Sequence, residues 1–134
     1  MLVRTSLLAS VALLVASLAA PARAAEVDRA DPKAVAVAAL TAYKAKDMKA
    51  LTPLSSTANK KIFAELAEKG EAHPRYKSIF GGLRWESVQK WDGTTADAPR
   101  YVAPDRAVVR FGDADATTAY VVLKLEDKAW GSTT

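Results

Sequence analysis

The sequence predicts an α+β domain, with helices in its first half and a curved antiparallel β-sheet in its second. Apolar residues recur at helical spacing from Asp31 to Lys69, and beyond Gly82 the period turns to alternation. The later segments are joined by loops too short for parallel crossovers. Helices first and strands afterwards specify a sheet whose inner face is covered by the first helix.

The first helix starts at Asp31-Pro32, because an Asp side chain accepts from the first unpaired backbone amides and Pro at the first helical position gives up no needed donor. Val35, Ala36, Ala39, Leu40 and Tyr43 fall on one side of it and face a core; Ala38 and Ala45 lie opposite. A break at Lys46-Asp47 leads to a short second helix with Met48, Leu51 and Leu54, stopped near Pro53. Ser55-Ser56-Thr57 supplies N-cap residues for a third helix over 58–69, with Ile62, Phe63 and Leu66 on one face and Gly70 at its end. On its exposed side Lys61, Glu65 and Lys69 stand four apart as charge pairs. Tyr76, Ile79 and Phe80 suit a helical turn that plugs one end of the core.

The glycine pair Gly81-Gly82 marks the change of regime. Leu83 to Trp91 is expected as a strand with Leu83, Trp85 and Trp91 on one side and Val88 on the other. Tyr101-Val102 forms a strand before the turn Ala103-Pro104-Asp105-Arg106. Ala107 to Phe111 and Ala119 to Leu125, rich in β-branched and aromatic residues, form two more, and Glu126-Asp127-Lys128 turns into Ala129-Trp130.

At the amino end Arg4 precedes an apolar run from Leu7 to Ala20, then Pro21 and Ala22-Arg23-Ala24. This is the layout of a secretory signal peptide over 1–24, cleaved after Ala24, and the run is short of the roughly 20 apolar residues of a membrane span. The expected product is a single domain over 25–134, periplasmic or secreted, without membrane insertion after cleavage. Residues 25–30 are expected to be a mobile lead-in. There is no cysteine, so disulfides and a lipid-modified amino-terminal cysteine are excluded. Beyond Ala24 the chain carries 17 basic against 15 acidic residues, scattered rather than striped, which argues against nucleic-acid binding.

Four features together resemble the NTF2-like superfamily, the α+β cone fold, and within it small secreted bacterial domains of the DUF4878-like kind. They are Asp31-Pro32 opening the first helix, the Lys46-Asp47 corner, the short helix Met48 to Leu54, and the closing run Val121 to Trp130. The resemblance covers most of residues 30–130. It implies a cone whose interior can hold a small molecule, and a superfamily that includes ketosteroid isomerase-like and polyketide cyclase-like enzymes beside transport factors and accessory modules. The charged turn lacks the glycine common in such proteins, and Trp130 stands four residues from the end of the sequence. The last strand is therefore expected to be short or frayed, with the sheet edge less well covered.

Tyr43 matches the tyrosine that isomerase-like members carry on their first helix, and Glu86 is the only acid expected inside a strand. These are the weak catalytic candidates. The plainer expectation for Tyr43 is a core aromatic with its hydroxyl at the rim. His73, the only histidine, is expected to face solvent from a loop; with no cysteine it cannot complete a usual zinc set, and no metal or cofactor is expected. Asp113-Ala114-Asp115 starts like a calcium loop but lacks the later glycine and acid, so a hairpin turn is expected. Trp85 and Trp91 either seal the core or join Tyr43, Phe63 and Phe80 in lining an apolar cavity. Function is accordingly expected to be non-catalytic, binding a small apolar ligand or an envelope protein partner. The alternatives are an isomerase-type enzyme and a structural module that pairs with a second copy through its sheet.

Overall fold

The computed structural model describes residues 27–112 and 119–133; the expected signal peptide and the Asp113-Ala114-Asp115 turn lie outside the described residues. Helix α1 (Pro32–Lys44) begins where Asp31 accepts from the Lys33 amide at 3.0 Å. Lys46, at a positive φ of 56°, turns the corner, and Asp47 caps α2 (Met48–Leu51) through the Ala50 amide at 3.1 Å. A 3-10 turn (Thr52–Leu54) leads to α3 (Thr57–Lys69), and a second (Gly70–Ala72) to α4 (Tyr76–Ile79).

The next segment corrects the sequence reading. Leu83 to Trp91 is no strand: residues Gly82–Lys90 form helix α5, followed by Trp91. Trp85, Val88 and Trp91 stand three apart and are all buried, whereas Leu83, placed on the same side as Trp85 and Trp91 in the strand reading, is 77% exposed. The alternation of Leu83, Trp85 and Trp91 suggests a strand, but the spacing of the residues that are buried is helical, and the helix packs against α1 and β3.

Strands β1 (Arg100–Ala103), β2 (Arg106–Phe111), β3 (Ala119–Glu126) and β4 (Ala129–Ser132) form an open antiparallel meander in sequence order. Along β2 and β3 burial alternates strictly enough to fix the faces. Ala107, Val109, Phe111, Val121 and Leu123 turn inward, and Val109 lies opposite Val121 in the register. The outer face interleaves Arg106, Arg110 and Lys124 with Val108 and Val122.

Helix α1 lies between two apolar layers. Val35, Ala36 and Leu40 pack with the inner sheet face, Trp85, Val88, Trp91 and Trp130. Ala39 and Ala42 pack the other way, against Met48, Leu51, Leu54 and Leu66. The single apolar face read from the sequence is thus split in two, and Tyr43 sits on the seam, against both layers.

The amino-terminal approach differs from expectation, and the last strand, short as expected at four residues, has a covered edge. Residues 27–30 are held against β4, where the Trp130 amide donates to the Arg29 carbonyl at 2.9 Å and Arg29 Nε and Nη2 donate to the Trp130 carbonyl at 3.1 and 2.9 Å. The end of β4 is covered too. Ser55 bridges Ser132, and the Ser56 amide donates to the Ser132 carbonyl at 2.7 Å. This approach requires glycine at 131, where a Cβ would lie 2.8 Å from the Ser55 carbonyl carbon and the Ser56 nitrogen. At the start of α3 the Ser56 hydroxyl donates to Thr133 Oγ1, and Glu126, from the end of β3, accepts from the Thr57 amide at 2.9 Å. The helix terminus is capped from the sheet rather than by its own N-cap serine.

Candidate ligand cavity

A cavity of about 350 Å³ opens where α1, the α2–α3 pair, α4 and the start of α5 meet above β3 and β4. Its floor is apolar: Ala39 and Leu40 of α1, Leu51 of α2 and Val121 of β3 are all buried. Ile62 and Phe63 on α3 and Ile79 on α4 form half-buried walls. The mouth is polar and exposed, with Arg75 before α4, Ser78 on it, and Arg84 on α5. Among the described lining residues there is no carboxylate.

Tyr43 lines this cavity from the seam of the core. Its hydroxyl donates to the Ile79 carbonyl, so the phenol is fixed at the rim by α4. Burial pushes its ionisation up, and the nearby positive charge of Arg84 works against that shift. The ring packs on Phe80 and Trp85 with centroids 5.6 and 5.2 Å away. Lys46 closes that cluster from outside. Its Nζ stands 5.2 to 5.4 Å from the centroids of Tyr76, Phe80 and Trp85, a cation–π arrangement over three rings.

Of the five aromatics expected to line a cavity, Tyr43 and Phe63 do so. Phe80 and Trp85 instead belong to the cluster beneath Lys46, and Trp91 is buried against Phe111 at 6.0 Å, its indole N–H donating to the Thr95 carbonyl at 2.6 Å. Glu86, expected within a strand, lies instead on helix α5 and is exposed to solvent. Tyr43 and Glu86 are therefore not brought together with the cavity between them.

His73 is corrected as well: it is buried, 6% exposed, not a solvent-facing loop residue. Its Nδ1 accepts from the Arg75 amide at 3.0 Å, which leaves the proton of the neutral ring on Nε2, 3.0 Å from a Glu65 carboxylate oxygen. That hydrogen bond is the main reason the Glu65 carboxyl is held below its usual range. Glu65 thus reaches across to the loop, a partner the four-residue spacing to Lys61 and Lys69 did not suggest. His73 fixes the backbone of Arg75 and so the mouth of the cavity. Among the described residues no three His, Asp or Glu side chains gather as metal ligands, and no helix is long and apolar enough to cross a membrane.

The sequence reading missed both arginines of the mouth. Arg75 follows a proline in an irregular stretch that gave no pattern. Arg84 was legible in principle: once Gly82–Lys90 is read as a helix, Arg84 shares a flank with Gly81, three residues earlier, and both line the cavity.

Comparison with known protein families, with curated proteins and with solved structures finds no match for this chain.

Proposed function

We propose that this chain is an exported ligand-binding domain of the NTF2-like type, holding a small and largely apolar molecule between α1, α3 and α4. The observation that carries the reading is the cavity itself: about 350 Å³, with a buried aliphatic floor, exposed polar side chains at its mouth, and Asn59 and the buried Ser132 elsewhere in its lining. Those are the proportions of a small-molecule site, in which apolar area supplies affinity and a few polar groups supply orientation. Export rests on Arg4, the apolar run to Ala20 and the Ala22-Arg23-Ala24 pattern.

Binding is favoured over isomerase-type catalysis by two placements. A general base must come within hydrogen-bond reach of the proton it removes, and the described cavity lining offers no carboxylate. The Tyr43 hydroxyl, for its part, is engaged with the Ile79 carbonyl. Pairing of two copies through the outer sheet face has less to recommend it, since Arg106, Arg110 and Lys124 interrupt that face.

The test is titration with phenylnaphthylamine, a neutral apolar fluorophore, against the protein and an Ile62→Trp variant that fills the cavity from α3. Saturable binding at one site, lost in the variant while the fold is retained, is the expected result. Binding that survives in the variant would place the probe elsewhere and sink the reading.

A further inference from the structure

We infer that residues 70–82 form a strap over the cavity, swinging on Gly70 and Gly82 to admit a ligand and latched shut by Glu65 at one end and Lys46 at the other. The inference rests on the binding role proposed above and adds the way in. Arg75, Ser78, Ile79 and Gly81 make the strap one wall of the cavity, so moving it opens the cavity along that side.

The segment is built to move as a unit. Its turns close on themselves: the amides of His73, Tyr76, Ile79 and Phe80 donate to the carbonyls of Gly70, His73, Arg75 and Tyr76, at 2.9 to 3.0 Å. The Arg75 amide adds a bond to His73 Nδ1 at 3.0 Å. At each end stands a glycine with positive φ, 57° at Gly70 and 78° at Gly82. A Cβ at either would meet open space, so backbone freedom rather than close packing calls for glycine there. Hinges of this kind absorb the φ/ψ change while the segment between them keeps its shape.

Side chains fasten the strap to its surroundings. Near Gly70 the His73 ring reaches Glu65 of α3, with Nε2 3.0 Å from a carboxylate oxygen. Further along, the Tyr43 hydroxyl donates to the Ile79 carbonyl, and Lys46 Nζ donates to the Tyr76 hydroxyl at 3.3 Å. Lys46 also lies over the Tyr76 and Phe80 rings of the strap and the Trp85 ring of α5. Tyr76, Ile79 and Phe80 pack half-buried against the second apolar layer and favour the closed form without sealing it into the core.

Stopped-flow mixing with phenylnaphthylamine tests the strap, using Glu65→Ala and Lys46→Gln, which cut one latch each and stand outside the cavity lining. A gate that must open for both entry and exit alters the two rates together. In each variant association and dissociation should quicken by roughly fivefold, the scale of one lost side-chain tie, with Kd held within about twofold. The retained affinity also reports that the fold is intact. Glu65→Gln keeps an acceptor for the His73 Nε2 proton and should stay near the parent rates. Association at the parent rate in either latch variant, or a Kd raised through dissociation alone, would overturn the strap and leave the cavity's binding role standing. A probe that fails to bind the parent, or binds Ile62→Trp equally, would remove the cavity reading and this inference with it.

Discussion

Arg29 and Trp130 are joined by three hydrogen bonds, the guanidinium and the carbonyl of Arg29 both engaging the backbone of Trp130. A residue ahead of the first helix thereby covers the open edge of the last strand. An uncovered edge would present unpaired amides and carbonyls to solvent or to another chain.

Arg29→Ala should therefore cost about 1 to 3 kcal/mol, the usual loss when a partly buried charge-assisted hydrogen bond is removed. Arg29→Lys should recover only part of that, because a single ammonium cannot reproduce the two-nitrogen contact. Urea denaturation measures the loss, and amide exchange at Trp130 should quicken in both variants. Unchanged stability and unchanged exchange would mean that the edge is held by other contacts.

Gly131 marks where the Ser55–Ser56 corner closes on β4. Gly131→Ala places a methyl 2.8 to 2.9 Å from backbone atoms of Ser55 and Ser56, which cannot yield as a flexible side chain would. Overpacking of this kind costs about 1 to 3 kcal/mol. The Ser56 amide should lose exchange protection in step with the fall in denaturation midpoint. A variant as stable as the parent would show that the corner can shift freely.

His73 links α3 to the cavity mouth through Glu65 on one side and the Arg75 amide on the other. His73→Ala removes a buried side chain, leaves the part-buried Arg75 amide without its acceptor, and should cost about 1 to 3 kcal/mol. The Arg75 amide should lose exchange protection as well, since its acceptor is gone. Unchanged stability with unchanged exchange at Arg75 would show that the loop is held by other contacts.

Acid should destabilise the protein in a definite direction. Asp92 is held at about 2, below its ordinary 3.8, by the Thr95 hydroxyl and then the Thr95 and Thr94 amides. Glu126 lies below its ordinary 4.5 because it accepts from the Thr57 amide, and Glu65 lies below the same value because of His73. A carboxyl whose folded pKa is depressed binds fewer protons folded than unfolded, so its contribution is complete above the unfolded value and fades as pH falls towards the folded one. Urea midpoints should accordingly fall between about pH 4.5 and pH 2. Asp92→Asn should flatten the lower part of that profile. A midpoint that stays level or rises on acidification would contradict the assignment.

The order of elements was legible because Asp31-Pro32, the Lys46-Asp47 corner and the turn residues before β2 and after β3 are local signals, and local signals survive into the fold. Gly82–Lys90 reads as a strand when the alternation begun by Leu83 and Trp85 and ended by Trp91 is taken as the period, whereas the buried Trp85, Val88 and Trp91 stand at helical intervals. The cavity was half legible. Tyr43 and Phe63 lie on strongly periodic helices, so their inward direction followed from sequence. Arg75 and His73 depend on contacts between α3 and an irregular loop, and no periodicity encodes those. Nor did any local pattern announce that Arg29 and the Ser55–Ser56 corner would cover β4, since both approaches join residues far apart in the chain.

Methyl-resolved NMR during titration with phenylnaphthylamine tests the proposed binding role most directly, because it locates the probe as well as detecting it. Shifts should concentrate on the methyl groups of Leu40, Leu51, Ile62, Ile79 and Val121, which line the cavity, and leave the exposed Leu83 and Val102 unmoved. Shifts confined to Leu83 and Val102, or no shifts at a saturating concentration, would contradict a ligand site between α1, α3 and α4.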